Sequence, residues 1–324
     1  MGIRVNRQMN PNDKLAFVFP GQGSQSVGML SALAATGPQV TETFAEASRV
    51  LGYDLWELVQ KGPEDRLGQT EFTQPAMLAA GVAVWRVWVG RGGPVPAVMA
   101  GHSLGEYTAL VCADALGFPD AVRLVADRAR FMQQAVAAGM GGMAAILGMD
   151  DAAVSALCER AAEGDVLSPV NYNSPGQVVI AGTAAAVRRA VDQAPAAGAK
   201  RAVMLPVSVP SHCALMHPAA LRLGERLEGV EFSHPRIPVI HNFHVGLEAS
   251  AAGIRAALVR QVESPVRWSD TVHKMAADGV SMLVECGPGK VLSGLNKRIN
   301  RELQALPVYD PDTLQQGLAA AGAK

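Results

Sequence analysis

Apolar residues in this 324-residue chain gather into short continuous runs, separated by longer segments of helical period. The first run is Leu15-Ala-Phe-Val-Phe19, closed by Pro20 and a glycine loop. Val95-Pro-Ala-Val-Met-Ala100, Ile237-Pro-Val-Ile-His241 and Met282-Leu-Val-Glu285 repeat the pattern, the last leading into Gly287-Pro288-Gly289. A strand that is apolar at every position is covered on both faces, as in a parallel sheet. The segments between, such as Phe118 to Ala138, are rich in Ala, Leu, Arg and Glu and read as helices. Buried strands alternating with helices predict an α/β layer fold with a largely parallel sheet.

Residues 139–209 depart from this rhythm. The pattern there predicts a strand Met143 to Leu147, a helix Asp151 to Ala162 and a strand Val166 to Tyr172. A strand Gln177 to Ala181 follows across the turn Asn173-Ser-Pro-Gly176, then a helix Thr183 to Ala194 and a strand Arg201 to Val207. Asp150-Asp151 and Thr183 are suited to cap the two helices, since a side-chain oxygen there accepts an unpaired first-turn N–H. The order βαββαβ is that of a ferredoxin-like unit, small enough to be inserted in a larger domain. The tail from Asp310 onward reads as a short last helix or a frayed end.

Composition narrows the class. Hydrophobic residues make up 49% and charged residues only 18%, against about 25% charged in an average globular chain. That excludes a disordered chain and favours a large buried core. Lys plus Arg number 28 and Asp plus Glu 29, which gives no electrostatic case for a nucleic-acid partner. The four cysteines, at 112, 158, 213 and 286, show no metal-ligand spacing and read as reduced, buried thiols. The leader Met1 to Lys14 is polar, unlike a signal peptide. The longest apolar stretch, Ala76 to Trp85, is too short to cross a bilayer. A cytoplasmic protein with no membrane partner and no metal is expected.

The chemistry centres on Gly101-His-Ser-Leu-Gly-Glu106, between an apolar strand and a predicted helix from Glu106 to Ala115. Gly-x-Ser-x-Gly in that setting is a nucleophile elbow, which presents a serine on a strained turn at a helix start. The expected fold class is therefore α/β, a large hydrolase-like core with a mainly parallel sheet plus an inserted small ferredoxin-like (βαββαβ) domain. Residues 1–138 and 210–324 would form the large catalytic domain and 139–209 the small one. Ser103 needs a base to take its proton, and the chain offers His102, His212, His217, His234, His241, His244 and His273. His102 adjoins the serine, but its side chain should leave the turn in another direction. His212 lies where the chain re-enters the main body and is only modestly favoured over His241 or His244. The loop Pro20-Gly-Gln-Gly-Ser-Gln25 could bring backbone N–H groups to a ligand, or be a plain tight turn.

With these residues in view, the sequence closely resembles the malonyl-CoA:acyl carrier protein transacylases of fatty-acid synthesis and the related acyltransferase domains of polyketide synthases. The resemblance is carried by Phe19-Pro-Gly-Gln-Gly-Ser-Gln25, Thr73-Gln-Pro-Ala-Met77, Gly101-His-Ser-Leu-Gly-Glu106 and Arg128-Ala-Arg-Phe-Met-Gln133. Further on stand Val170-Asn-Tyr-Asn-Ser-Pro-Gly176, Val209-Pro-Ser-His-Cys213, Ser264-Pro-Val-Arg-Trp268 and Glu285-Cys-Gly-Pro-Gly-Lys290. These segments follow the family's order over about residues 15–300.

The resemblance implies Ser103 as nucleophile and His212 as base, steered by a main-chain carbonyl at Gln261 in place of an aspartate. It implies an oxyanion pocket made by the backbone N–H groups of Leu104 and Gln22. Arg128 would grip the free carboxylate of malonyl with its planar fork; from helical position alone it reads instead as a solvated neighbour of Arg123 and Arg130. Malonyl-CoA and holo acyl carrier protein are the implied partners, with no cofactor, and the family precedent is a monomer. The carrier protein of this family is acidic, so Lys290, Lys297, Arg298 and Arg301 are candidates for docking it. A polyketide acyltransferase and a serine thioesterase or hydrolase are the alternatives. The chain departs from the family pattern at Glu263, in the run Asn242-Phe-His-Val-Gly-Leu-Glu248 and in its leader.

Overall fold

The computed structural model describes residues 12–207 and 209–323, so the expectations for most of the leader fall outside the described residues. Nine strands occur among them: β1 (Asn12–Phe19), β2 (Pro96–Gly101), β3 (Gly141–Leu147), β4 (Leu167–Ser174), β5 (Gln177–Thr183), β6 (Arg201–Met204), β7 (Val239–Ile240), β8 (Met282–Cys286) and β9 (Gln304–Val308). They form two sheets, one of order β7-β2-β1-β8-β9 and one of order β4-β5-β3-β6.

Every pairing in the five-stranded sheet is parallel. Its central strand β1 explains the unbroken apolar run. Leu15, Phe17 and Phe19 pack into one core, and Ala16 and Val18 into another on the opposite face. Phe17 meets Trp85 and Trp88 edge-on, with ring centroids 5.3 and 5.1 Å apart. Both tryptophans belong to helix Thr70–Gly90, whose middle from Ala76 to Val84 is fully buried. The apolar stretch is thus a core helix, and among the described residues no helix is long and apolar enough to cross a membrane.

The four-stranded sheet is antiparallel throughout. In chain order β3, helix Asp151–Ala162, β4, β5, helix Ala184–Gln193 and β6 give the predicted βαββαβ unit. Asp150 and Thr183 cap its helices, accepting from Ala153 N and Ala186 N. The two helices cover one face, with Ile146, Leu157, Ile180 and Val187 among the buried contacts. The other face, through Met143, Val170, Val179 and Ala181, packs on Cys213. That second contact sets the small sheet directly behind residue 212.

Candidate active site

Strand β2 ends at Gly101 and helix Gly105–Cys112 begins four residues later. A Cβ at Gly101 would collide with the backbone of Gly105, and one at Gly105 with the carbonyl of Phe19. The close crossing of turn, strand and helix therefore requires both glycines. Ser103, at the apex, has φ of 52°, the strained left-handed conformation expected of an elbow.

The hydroxyl of Ser103 lies 2.7 Å from Nε2 of His212. His212 Nδ1 lies 2.7 Å from the main-chain carbonyl of Gln261. With its proton on Nδ1, donated to that carbonyl, the ring presents an unprotonated Nε2 to the serine. His212 N donates to the carbonyl of Val262, at 3.1 Å. Both carbonyls belong to the last turn of helix Ala251–Glu263, where no intrahelical donor remains. The negative end of the helix dipole thus stands where a carboxylate would otherwise be, and favours a transient imidazolium. Burial, reinforced by the Arg128 charge, pushes the His212 pKa down to about 3. The ring is neutral and ready to accept a proton at any ordinary pH.

Arg128 is not on a solvated face. It is only 2% exposed, while its neighbours Arg123 and Arg130 pair with Asp120 and Asp127 at the surface. Its guanidinium donates through Nη1 to Gln74 Oε1 at 2.7 Å, and through Nη2 to Gln261 Oε1 at 3.0 Å and Ser103 Oγ at 3.3 Å. Its Nε has no acceptor, and the Tyr107 ring lies 5.3 Å away. Burial lowers its pKa, while the nearby Tyr107 and Glu106 act in the opposite sense. An arginine this buried, with hydrogen-bonding capacity left over beside a nucleophile, is arranged to receive an anion.

Gln22 is tied to the same cluster, since its Oε1 accepts from Thr70 Oγ1 at 2.8 Å and Gln74 Nε2 donates to Thr70 Oγ1 at 3.2 Å. Among the described residues, the backbone N–H groups of Gln22 and Leu104 have no internal acceptor. The structure therefore brings Ser103, Leu104, Arg128, His212 and Gln261 together, with Gln22 linked through Thr70 and Gln74. His102 turns away as expected and meets Asn173 Oδ1 at 2.8 Å. His241 is engaged with Glu106 and His244 with Glu248, so neither faces the serine. Glu263, an unusual residue by resemblance, pairs with Arg260 and His217 at the surface.

Gln74, Glu106 and Asn242 were missed as members of this cluster. Glu106 carried a usable signal, as the one charged residue in the mostly apolar run Gly105-Glu-Tyr-Thr-Ala-Leu-Val-Cys112, because an acid in a buried element is almost always partnered. Asn242 had none, since it stands in a loop 139 residues from Ser103 in sequence.

The acyl transferase domain family model matches residues 16–311. The malonyl CoA-acyl carrier protein transacylase of Salmonella typhimurium is 60% identical over 305 residues, covering 94% of this chain and 99% of that protein. The Bacillus subtilis protein of the same name is 44% identical over 303 residues, covering 93% and 95%. A crystal structure of an acyl carrier protein S-malonyltransferase from Vibrio cholerae superposes with a TM-score of 0.92 at 58% identity, covering 94% of this chain and 99% of that one. A malonyl-transacylase solved in complex with a type II PKS acyl-carrier protein superposes with a TM-score of 0.94 at 56% identity, covering 95% and 99%. An elbow serine, a histidine steered by a helix-end carbonyl and a buried arginine thus occur in a chain that belongs to the acyl transferase family, among the malonyl CoA-acyl carrier protein transacylases.

Proposed function

We propose that this chain transfers the malonyl group from malonyl-CoA to the phosphopantetheine thiol of holo acyl carrier protein, through a malonyl ester on Ser103. The observation that carries the reading is the placing of one hydroxyl against both His212 Nε2, at 2.7 Å, and Arg128 Nη2, at 3.3 Å. His212 takes the Ser103 proton as Oγ attacks the thioester carbonyl, and the tetrahedral oxyanion sits on the N–H groups of Leu104 and Gln22. Collapse expels CoA, which takes the proton from His212. The phosphopantetheine thiol then gives its proton to His212, attacks the ester, and leaves as malonyl thioester while Ser103 regains its hydrogen. Arg128 holds the malonyl carboxylate throughout.

A thioesterase reading has less support, because among the described residues His212 Nδ1 meets a main-chain carbonyl and not a carboxylate, and a buried guanidinium stands beside Ser103. The relative solved with a polyketide carrier favours a second possibility for the pathway served, with the chemistry unchanged. In the same proposal, residues 139–209 form a small domain that closes the cleft, supported by the separate apolar cluster beneath its sheet. The protein acts as a cytoplasmic monomer without a cofactor. Lys290, Lys297, Arg298 and Arg301 are all exposed and offer a basic face to an acidic carrier.

Brief exposure to labelled malonyl-CoA, followed by mass spectrometry, tests the reading. A malonyl adduct on Ser103 that moves to added carrier protein is expected. Absence of the adduct, or its hydrolysis at equal rates with and without carrier, overturns it.

A further inference from the structure

One side chain, Asn242, bonds to the elbow backbone on both sides of the turn. Asn242 Oδ1 accepts the backbone N–H of Ser103 at 2.7 Å, and Asn242 Nδ2 donates to the carbonyl of Gly101 at 2.6 Å. One carboxamide therefore spans the turn and satisfies a polar group on each side of it. Its orientation is set by chemistry, since only the oxygen can take an N–H and only the nitrogen can give one. The side chain is fully enclosed, 1% exposed.

The segment that carries Asn242 is itself anchored to the elbow helix. Asn242 N donates to Glu106 Oε2 at 2.9 Å, and His241 Nδ1 lies 2.7 Å from Glu106 Oε1. Gln261 Nε2 donates to the same Glu106 Oε2, at 3.0 Å, and to the Ser103 carbonyl, at 2.9 Å. The loop closes through His241 N to Gly246 O, at 2.9 Å, and Val245 N to His241 O, at 3.0 Å. Val245 has φ of 55°, an outlier for a β-branched residue. Such strain persists only where the surroundings over-determine the backbone, and it concentrates near functional sites.

We propose that Asn242 is a positioning residue for the transfer reaction, acting through the backbone of Gly101 and Ser103 to hold the hydroxyl in line with His212 Nε2. This deepens the acyl-transfer reading and rests on it. Asn242 is not among the hydrogen-bond partners of the Arg128 guanidinium, so in this proposal it governs the reactivity of the serine and not the choice of acyl group.

The experiment compares wild type, Asn242→Ala and Asn242→Asp by single-turnover acylation of Ser103 with malonyl-CoA and acetyl-CoA, and by labelling with a fluorophosphonate. Malonyl-CoA affinity is read separately in a Ser103→Ala background. A displacement of about 1 Å at a reacting atom lowers the rate by about a hundredfold, and a loss of that order is expected in all three reactions, with affinity unchanged. Asn242→Asp keeps the size and the acceptor for Ser103 N–H but sets an oxygen against the Gly101 carbonyl, so it should lose rate as well. It carries the test if the alanine variant does not fold. Wild-type rates in a folded variant overturn the proposal, as does a loss confined to malonyl or a weakened malonyl-CoA affinity. If wild type labels with fluorophosphonate but never forms a malonyl adduct, the acyl-transfer reading fails while the role of Asn242 in serine reactivity is still decided by the third reaction.

Discussion

His212 is neutral at working pH because water is kept from it and Arg128 stands nearby, with burial the larger cause. A free histidine gains its proton near pH 6.5, whereas this one holds out to about 3. Acylation of Ser103 should therefore show no loss of rate between pH 8 and about 5, and stopped-flow measurement over that range checks it. An acid limb near 6.5 would show a base exposed to water. Arg128 supports a second expectation at this scale. In Arg128→Ala, malonyl transfer should fall by about two orders of magnitude or more, the worth of two charge-assisted hydrogen bonds. Acetyl transfer should persist, and equal loss of both would contradict the role. Of these residues, Ser103 announces itself by its glycines. His212 and Arg128 do not, since each resembles several others of its type until the fold buries it.

The helix Ala251–Glu263 acts as a unit on the site, because its last carbonyls hold His212 by ring and backbone. At its other end Ser250 Oγ accepts the N–H of Gly253, at 3.0 Å. Ser250→Ala removes that cap and should lower stability by about 1 kcal/mol, read as a shift in the urea midpoint. The turnover number should stay near wild type, because three turns of helix separate the cap from Gln261 and the local carbonyl geometry survives. Most predicted elements form, and the departures gather at prolines. Pro307 hides β9 in the sequence by interrupting Gln304-Ala-Leu-Pro-Val308, yet at the sheet's edge a proline leaves no ladder bond unmade. The strand expected over Arg201 to Val207 stops at Met204, two residues before Pro206. The run Ile237 to His241 shortens to Val239–Ile240, since Pro238 has no N–H to give and His241 turns to Glu106.

Across the whole molecule, the parallel sheet supplies the serine and the antiparallel one backs the histidine through Cys213. Burial at that junction links protonation to stability. Burial lowers the pKa of His102 as well as that of His212. Both groups are neutral in native and unfolded chains above pH 6.5; below it only the unfolded chain takes up protons, so stability falls as pH drops from 6.5 toward the native value. For His212 the slope approaches about 1.4 kcal/mol per pH unit. Urea titrations at pH 7, 6 and 5 on wild type and His212→Gln check this. The variant should lose less stability on acidification, and identical slopes would refute the assignment. The difference between the two proteins cancels Glu285, whose pKa burial raises and whose contribution has the opposite sign.

Local chemistry was decided in the chain itself. A strand apolar at every position favours burial on both sides, and a serine between two glycines, after a strand and before a helix, favours a sharp turn. Those constraints act between near neighbours, so the α/β layers, the βαββαβ unit and the elbow are legible without a structure. Which histidine faces Ser103, why Arg128 is buried while Arg123 and Arg130 are not, and that Asn242 grips the turn were settled by contacts spanning 25 to 141 residues. Side chains so distant in sequence meet only when the sheets have packed, and no spacing along the chain encodes that meeting.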